Sequence, residues 1–382
     1  MRVLIARNSD APTNANIRRV LEALTSAGHS VVVLSRNRAC DESLKGYIKK
    51  TIKINNLEID NYELQLSGKT ERGMKNFTTL KSYMDILKSW MKGNVDKFDA
   101  IHAFDLDTGL VAKKIAKSYN KHLVYHIADF YVDSRAKIPG PLKFIIRSME
   151  YSIINYADNT IICTEERKDQ IAGARPRKLT VVHNTPSIDF DVSSYIDQSM
   201  DPDHKLTLAY IGVLSKRRFI DQAVDCMMGM KDSQMILAGG GDLVDFVKER
   251  AEKTDNIKYK GKVDYEDTFD IYSKSDLMFA VYNPQIMNHK YSAANKIYEA
   301  MLLKKPIIVA RGTSMDKIVE RYDIGFVIDY DKNEFRDLLY KLEKDRSIID
   351  KKVENMQGVY ENYSWETMKK RLIDVYSDLE RD

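Results

Sequence analysis

Lys296 and Glu299, three residues apart, are the pair whose types and spacing point most directly to chemistry. They lie in residues 281–312, VYNPQIMNHKYSAANKIYEAMLLKKPIIVARG. A strand-like run, 276–282, enters a polar, turn-prone segment. A helical pattern follows, with Ile297, Ala300 and Met301 along one face. Pro306 stops that helix, and 307–310 reads as the next buried strand. Strand, loop, helix and strand make one parallel βαβ unit, and its loop opens at the C-terminal edge of a sheet, where ligands bind in open α/β sheets. A helix N-terminus there offers N–H groups and a positive dipole end, which suit a phosphate. A lysine in the first turn runs against the dipole, and a bound anion accounts for it. Glu299 is about one turn further on, so both side chains can face one ligand. The plain alternative is a surface ion pair on an ordinary helix.

The elements that must position this pair follow from length and pattern. The chain has 382 residues, enough for two ordinary α/β domains. Hydrophobic content of 43% with 30% charged residues is that of a soluble globular protein. A formal charge of +4 is too small to imply nucleic acid, and no nucleic-acid partner is expected. Cys40, Cys163 and Cys226 are far apart with no CxxC pair, which speaks against disulfides and a zinc site and fits a reducing cytoplasm. The apolar run at the N-terminus is too short for a signal peptide, and no segment reaches the ~20 apolar residues of a membrane span. The expected location is cytoplasmic, with a peripheral contact at the inner face of the membrane left open.

Strands are expected at 2–6, 29–35, 98–103, 122–126, 157–164 and 179–182 in the first half. Helices are expected at 17–27, closed by Gly28, and at 106–118. The loop after the first strand, RNSDAPTNAN, is polar and includes Asn8, Asn14 and Asn16. His126 ends a parallel strand at the ligand edge, with Asp129 just beyond, and neutral imidazole can both donate and accept. The stretch 138–156 sets Lys143 and Arg147 among Phe144, Ile145, Ile146, Met149 and Ile153. Its apolar stripe is expected to pack on the sheet, the alternative being a membrane-surface helix. Residues 40–97 resist parsing beyond one helical stretch near 77–90. Their lysines read as a solvated face, or as a basic patch toward anionic lipid or a pyrophosphate-linked acceptor. A polar linker is expected at 187–204. The second half opens with a strand at 206–214, then a basic loop carrying Lys216, Arg217 and Arg218. A strand at 233–238 leads into glycines 239–241, a strand and turn follow at 256–263, and helices are expected at 264–275 and 315–321.

The segment NKIYEAMLLKKPIIV resembles the (P)NKxxEAMxxGKPII run of retaining family 4 glycosyltransferases, which have the GT-B fold. AGHSVVVLS, ADNTIICT and GFVIDYDK match further motifs in the family's order. The resemblance implies an α/β fold of two Rossmann-like domains with parallel sheets facing across a cleft. Their expected limits are 1–187 for the acceptor-binding domain and 205–360 for the nucleotide-sugar domain, with a helix at 361–382 crossing back to the first. It implies a metal-independent enzyme with no cofactor, which moves a sugar from a nucleoside-diphosphate sugar to a saccharide or lipid-linked acceptor with retention of configuration. Glu299 matches the glutamate that binds the ribose. Ala294, Asn295 and Lys296 match the helix start that holds the diphosphate. Tyr291 stands where many members carry a second glutamate toward the donor sugar, and sugar identity is expected to depend on the region near Asn288, His289 and Tyr291. In the loop after the second domain's first strand, Gly212 falls in the matching segment, Val213 replaces the family arginine and Arg218 matches its lysine, with Lys216 and Arg217 nearby. Gly240 matches the glycine loop, and Gly261 to Val263 fall where backbone meets the base. His126 and Asp129 match residues near the reacting sugar. Asn8, Asn14 and Asn16 lie in the loop implied for the acceptor.

Asp105-Leu-Asp107 and Asp201-Pro-Asp203 have DxD spacing, the second in the expected linker and the first where a helix cap is equally expected. Other readings of the same architecture are a nucleotide-sugar 2-epimerase and a non-catalytic partner of a glycosyltransferase. An NAD-dependent oxidoreductase is disfavoured because the first βα loop lacks GxGxxG.

Overall fold

Runs such as AIHAF, LMFA and IIVA are almost wholly apolar and buried along their length. Such runs form parallel strands covered on both faces. A computed structural model describes residues 1–40, 46–54, 57–68, 74–135, 138–188, 190–196, 204–291 and 294–381, with backbone alone for 74–77. The chain divides into two units, Met1–His183 with Glu366–Asp382, and Asn184–Trp365.

The first unit runs β1 (Arg2–Ala6), α1 (Ala15–Ser26), β2 (Ser30–Asn37), β3 (Tyr47–Ile54), β4 (Leu57–Gln65), α2 (Met74–Gly93), β5 (Ala100–Phe104), α3 (Asp105–Tyr119), β6 (His122–His126), α4 (Gly140–Ile154), β7 (Asn159–Ile162), the short α5 (Arg167–Gln170) and β8 (Leu179–Val181). Its sheet has the order β3-β4-β2-β1-β5-β6-β7-β8. All neighbours are parallel except β3, which pairs antiparallel with β4. This hairpin occupies the stretch that resists parsing in the sequence. β3 is an edge strand, YIKKTIKI, that exposes three lysines, and edge lysines discourage pairing with another sheet.

The second unit runs β9 (Leu206–Ile211), α6 (Ile220–Met227), β10 (Ser233–Ala238), α7 (Val244–Ala251), β11 (Ile257–Tyr259), α8 (Tyr265–Ser273), β12 (Leu277–Ala280), α9 (Met287–Tyr291), α10 (Asn295–Leu303), β13 (Ile307–Ala310), α11 (Ser314–Tyr322), β14 (Gly325–Ile328), α12 (Lys332–Lys344) and α13 (Ser347–Asn355). Its sheet is wholly parallel, ordered β11-β10-β9-β12-β13-β14. The last helix, α14 (Trp365–Leu379), puts Tyr376 into the first unit's interior, where its hydroxyl meets His102 Nδ1 at 2.7 Å. Of the expected linker, Asp189 and residues 197–203, including Asp201 and Asp203, lie outside the described residues.

The expectation that the apolar stripe of α4 packs on the sheet needs correction. Ile153 and Ile154 are buried, but Leu142, Ile145 and Met149 are 46%, 54% and 39% exposed, and Phe144 is 74% exposed. Sequence spacing shows that a helix has an apolar face, not whether the chain itself covers it. Among the described residues no helix is long and apolar enough to cross a membrane.

One α4 residue has a consequence for stability. Glu150 is buried, its Oε1 accepts from the Tyr125 hydroxyl at 2.9 Å and its Oε2 from the Tyr131 N–H at 3.2 Å. Burial outweighs those bonds and pushes the carboxyl up to about 8. The folded state therefore holds a proton that the unfolded chain releases, so stability falls as pH rises toward about 8. Burial pushes His102 and His126 down, which acts in the opposite sense, but only below the ordinary histidine value. Burial also raises Asp105, Glu299 and Asp316, which act in the same sense as Glu150, so between about pH 6.5, that ordinary value, and about pH 8 Glu150 contributes the part of the slope that its removal takes away. Through Glu150 the unfolding free energy from urea titrations should fall across this window by up to about 1.4 kcal/mol per pH unit, and Glu150→Gln should lessen the slope. An unchanged slope in the variant would remove Glu150 as its source.

Candidate active site

Each sheet reverses its strand order once beside its first strand, and a pocket opens at the C-terminal edge of each reversal. In the second unit the reversal lies between β9 and β12. A pocket of about 410 Å³ there is lined by Ile211 at the end of β9 and Arg218 after it, Tyr282, Asn288 and His289 after β12, Tyr265 and Thr268 of α8, and Ala294, Asn295, Lys296 and Glu299 at the start of α10. Ligands bind at such switch points because the connections diverge to either side of the sheet and leave a crevice.

Lys296 is 8% exposed and Glu299 5% exposed, and no ion pair joins them within 4 Å among the described residues. The surface-pair alternative is therefore not what the fold builds. Lys296 Nζ lies over the Tyr210 ring, 4.6 Å from its centroid. The Arg218 guanidinium lies 4.9 Å from the Tyr282 ring centroid, and its Nη1 donates to the Tyr210 hydroxyl at 3.4 Å. A Cβ at Gly212 would stand 2.9 Å from Lys296 Nζ and 3.7 Å from Arg218 Nη1, so both cations converge on bare backbone. Two cations beside a helix N-terminus make a strongly anion-favouring corner. Glu299 Oε1 accepts from the Tyr265 hydroxyl at 3.2 Å. Burial raises the Glu299 carboxyl, with Lys296 pulling the other way. Burial, with a smaller push from Arg218 and Arg217, lowers His289, whose Nδ1 is 3.2 Å from the Asn283 carbonyl.

The loop carrying Arg218 is fixed by glycines. Gly212 N–H donates to Ala238 O at 2.9 Å and Leu214 N–H to Gly240 O at 2.8 Å. Gly239 has φ +124°, and a Cβ there would lie 1.9 Å from Gly212 O. The GGGD glycines thus serve loop-on-loop packing, and Gly240 does not line the pocket. Lys216 and Arg217 are exposed and do not line it, although Lys216 O accepts from Tyr330 and Arg217 O from the Asn283 N–H. Val263 and Tyr291 are likewise absent from the lining, whereas Asn288 and His289 belong to it.

In the first unit the reversal lies between β1 and β5. A pocket of about 450 Å³ is lined by Arg7, Asn8 and Ser9 after β1, Arg38 after β2, Asp105 and Asp107 at the start of α3, and Asp129, Tyr131, Ser134 and Arg135 after β6. Asp105 adopts φ +60°, a strained value for a non-glycine residue. Its Oδ1 accepts from the N–H groups of Ala128 and Asp129, each at 3.0 Å, and its Oδ2 is 3.4 Å from Arg7. Burial lifts its carboxyl to about 6. Asn8 lines the pocket, with Oδ1 accepting from Arg36 and Nδ2 donating to Asp107. Asn14 does not. It caps α1, and its Oδ1 accepts from the N–H groups of Asn16 and Ile17 and from Arg7. Asn16 is engaged with Arg19. Neither lines the pocket, and an amide that can bind a sugar hydroxyl is also a good helix cap.

His126 ends β6, buried, with its ring stacked on Phe104. His126 Nδ1 is 3.1 Å from His102 Nε2, and His102 Nδ1 is 2.7 Å from the Tyr376 hydroxyl. Tyr376, His102 and His126 thus form one hydrogen-bonded line. A line in which the Tyr376 hydroxyl donates puts the His102 proton on Nε2 and the His126 proton on Nε2. Burial, with smaller pushes from His102 and Arg7, holds His126 well below the ordinary histidine value, so its ring is neutral.

Sequence reasoning therefore finds Arg218, Ala294, Asn295, Lys296 and Glu299 in one pocket, and Asn8 and Asp129 in the other. It misses Tyr265 and Tyr282, and it misses Arg7, Arg38 and Arg135, which bear no special spacing. Asp105 and Asp107 are noticed only as a DxD or a cap.

Residues 192–362 match the family model for glycosyl transferases group 1, and residues 15–189 match that for glycosyltransferase family 4. A glycosyltransferase of Methanocaldococcus jannaschii is 20% identical over 305 residues, covering 74% of this chain and 76% of the relative. The fold is similar to that of sucrose-phosphate synthase from Thermosynechococcus elongatus, at TM-score 0.77, 15% identity and coverage of 100% and 99% of the two chains. It is also similar to Anabaena HepE solved in complex with UDP, at TM-score 0.70, 16% identity and coverage of 99% and 100%. WaaG, a glycosyltransferase involved in lipopolysaccharide biosynthesis, aligns at TM-score 0.68 and 14% identity over 98% of this chain and 99% of its own.

The glycine contact yields a graded expectation. Gly239→Ala should cost about 3 kcal/mol or more, combining positive-φ strain with displacement of the Gly212 carbonyl. Gly28→Ala, at φ +80° with nothing within 4 Å of its Cβ, should cost only about 1 kcal/mol, which is strain alone. Equal losses in urea denaturation would mean that the loop contact adds nothing.

Proposed function

The chain belongs to the group 1 glycosyltransferases of family 4, with their GT-B fold, and we propose that it is a retaining enzyme using a uridine-diphosphate sugar and a saccharide or lipid-linked acceptor. That it is a glycosyltransferase drawing on a nucleotide-sugar donor follows from membership. The observation that carries the finer reading is the convergence of Lys296, Arg218 and Glu299 in one pocket at the start of α10. UDP is the favoured nucleotide because HepE, similar in fold, is solved with UDP, and with UDP-glucose.

In this reading the diphosphate lies at Gly212, within reach of Lys296 Nζ and Arg218, where no side chain intrudes. The ribose hydroxyls donate to Glu299, which Tyr265 holds in place. Asn288 and His289 are the pocket's polar groups toward the sugar, in place of the glutamate replaced by Tyr291. The acceptor hydroxyl attacks the anomeric carbon on the face that the nucleotide leaves. The C–O bond to the diphosphate breaks, and the departing phosphate oxygen takes the acceptor proton. Lys296 and Arg218 stabilise the charge that grows on that oxygen, which is where preorganised cations lower a barrier most. The reaction needs no metal in this scheme, because the fixed cations supply the charge. His126 donates through Nε2–H to a hydroxyl of the sugar or acceptor. Asn8 and Asp129 contribute to the acceptor pocket.

Binding of UDP, GDP, ADP and TDP without added metal, read as a thermal shift, tests the donor assignment. UDP at about one hundred times its dissociation constant should stabilise the protein by about 2.7 kcal/mol. Lys296→Ala and Glu299→Ala should each weaken binding about tenfold or more, since both lose charged hydrogen-bond partners. Because Glu299 is buried with a raised carboxyl, Glu299→Gln should keep or raise the apo midpoint while losing UDP affinity. No stabilisation by any diphosphate would overturn the reading.

Tyr376 is a positioning residue in the same scheme. Tyr376→Phe should lower kcat about tenfold, leave KM for the donor unchanged and alter the pH profile, because the proton on His126 is no longer directed to Nε2. A variant that lost only thermal stability would confine Tyr376 to a packing role.

A further inference from the structure

Four large apolar side chains stand well exposed on one helix, Leu142, Phe144, Ile145 and Met149 of α4. Three of them are not a random scatter. Leu142, Ile145 and Met149 sit on the face of α4 turned toward α2 and α3, where with Met84 and Leu110 they line an apolar groove of about 430 Å³. Phe144 is not part of that lining. An apolar trough left open by its own fold is a feature that water penalises and an apolar ligand relieves.

The groove does not end blindly. Asp107, Tyr131 and Arg135 line both it and the polar pocket at the β1–β5 reversal. Arg135 stands at this junction with its guanidinium 3.5 Å from the Tyr131 ring centroid, and its Nη1 donates to Ser134 Oγ at 3.1 Å. Passing from groove to pocket, a ligand would meet hydrocarbon surface first. A guanidinium comes next, and then a wall of hydrogen-bonding groups from Asn8, Asp105 and Asp129. That order is the order of parts in one chemical class: a long apolar chain, an anionic phosphate link and a saccharide.

We propose that the α2–α3–α4 groove holds the hydrocarbon tail of a lipid-linked acceptor, with its phosphate or diphosphate link at Arg135 and its saccharide in the adjoining polar pocket. This rests on the reading that the first unit's pocket receives the acceptor, and names that acceptor's class. The concave shape and the cation at its mouth select a single amphiphilic chain. A bilayer plane would instead call on convex apolar residues such as Phe144.

Farnesyl diphosphate, kept below its micelle concentration, and inorganic pyrophosphate serve as the paired probes, with binding to the full chain measured by calorimetry. The tail should tighten binding more than tenfold over pyrophosphate, because each buried methylene contributes. Ile145→Asp should reduce farnesyl diphosphate binding to the pyrophosphate level, whereas Phe144→Asp should leave it unchanged. Both sites are already exposed, so neither variant should unfold, and an unchanged thermal shift with UDP in each would confirm an intact donor site. Equal binding of the two probes, or equal losses in the two variants, would overturn the proposal. Vesicles of phosphatidylglycerol distinguish a bilayer as the occupant. Vesicle binding that both variants abolish, with farnesyl diphosphate binding untouched, would also overturn it. Failure of UDP to bind the unmodified chain would instead strike the donor assignment and leave the groove's result to be judged by itself.

Discussion

An ammonium group buried against an aromatic face, with no carboxylate within ion-pair distance among the described residues, is the arrangement around which the second unit is built. Lys296 sits in the first turn of α10, where the helix dipole opposes it, and the Tyr210 ring faces its Nζ. Arg218 approaches from the loop after β9 and shares the Tyr210 hydroxyl. Bringing two like charges together at a desolvated helix N-terminus is unfavourable in an empty site and favourable once an anion arrives. The surrounding features all serve to hold that conflict in place. Gly212 leaves room for the two cations, and Gly239 and Gly241 lock the loop that bears Arg218, since a Cβ at either would meet backbone at 1.9 and 2.2 Å.

The two units solve the placement problem by the same topological means. In each, the chain winds outward from the first strand in one direction and then in the other, so the connections after two adjacent strands part. The second unit fills its crevice with cations and one buried carboxylate. The first fills its crevice with alternating arginines and aspartates, held by the strained Asp105, whose carboxylate fixes the backbone after β6. The first crevice, mixed in sign and rich in donors and acceptors, suits a polyhydroxylated molecule. The second, where cations outnumber carboxylates, suits a diphosphate.

Much of this is legible in the sequence, and the parts that are not share a cause. The alternation of apolar strands and amphipathic helices is local, so the parallel architecture can be read directly. Arg218, Lys296 and Glu299 can be found because they lie in segments whose spacing is itself diagnostic. Tyr265 cannot, because it reaches Glu299 from a different helix 34 residues away, and such a meeting leaves no periodicity. Asn14 is ambiguous for a different reason: capping a helix and binding a sugar hydroxyl use the same amide oxygen, and only the fold shows that this one caps α1. The β3–β4 hairpin is hidden because its edge strand carries lysines where an interior strand would carry valine or isoleucine. Whether the stripe of α4 is covered depends on its neighbours, which the helix's own pattern does not encode.

The first unit is assembled from two pieces of chain that lie on either side of the second in the sequence. Its His102–His126 line is completed by a hydroxyl from residue 376, delivered by the later piece. Synthesis on the ribosome proceeds from the N-terminus, and domains generally fold as units once their sequence has emerged. The second unit, continuous in sequence, can close while α14 is still being made. The first unit must wait, its sheet formed but one face of its histidine pair unsatisfied. The histidine line is therefore completed only after the second unit's sequence has been made, by a hydroxyl that the later piece brings to His102.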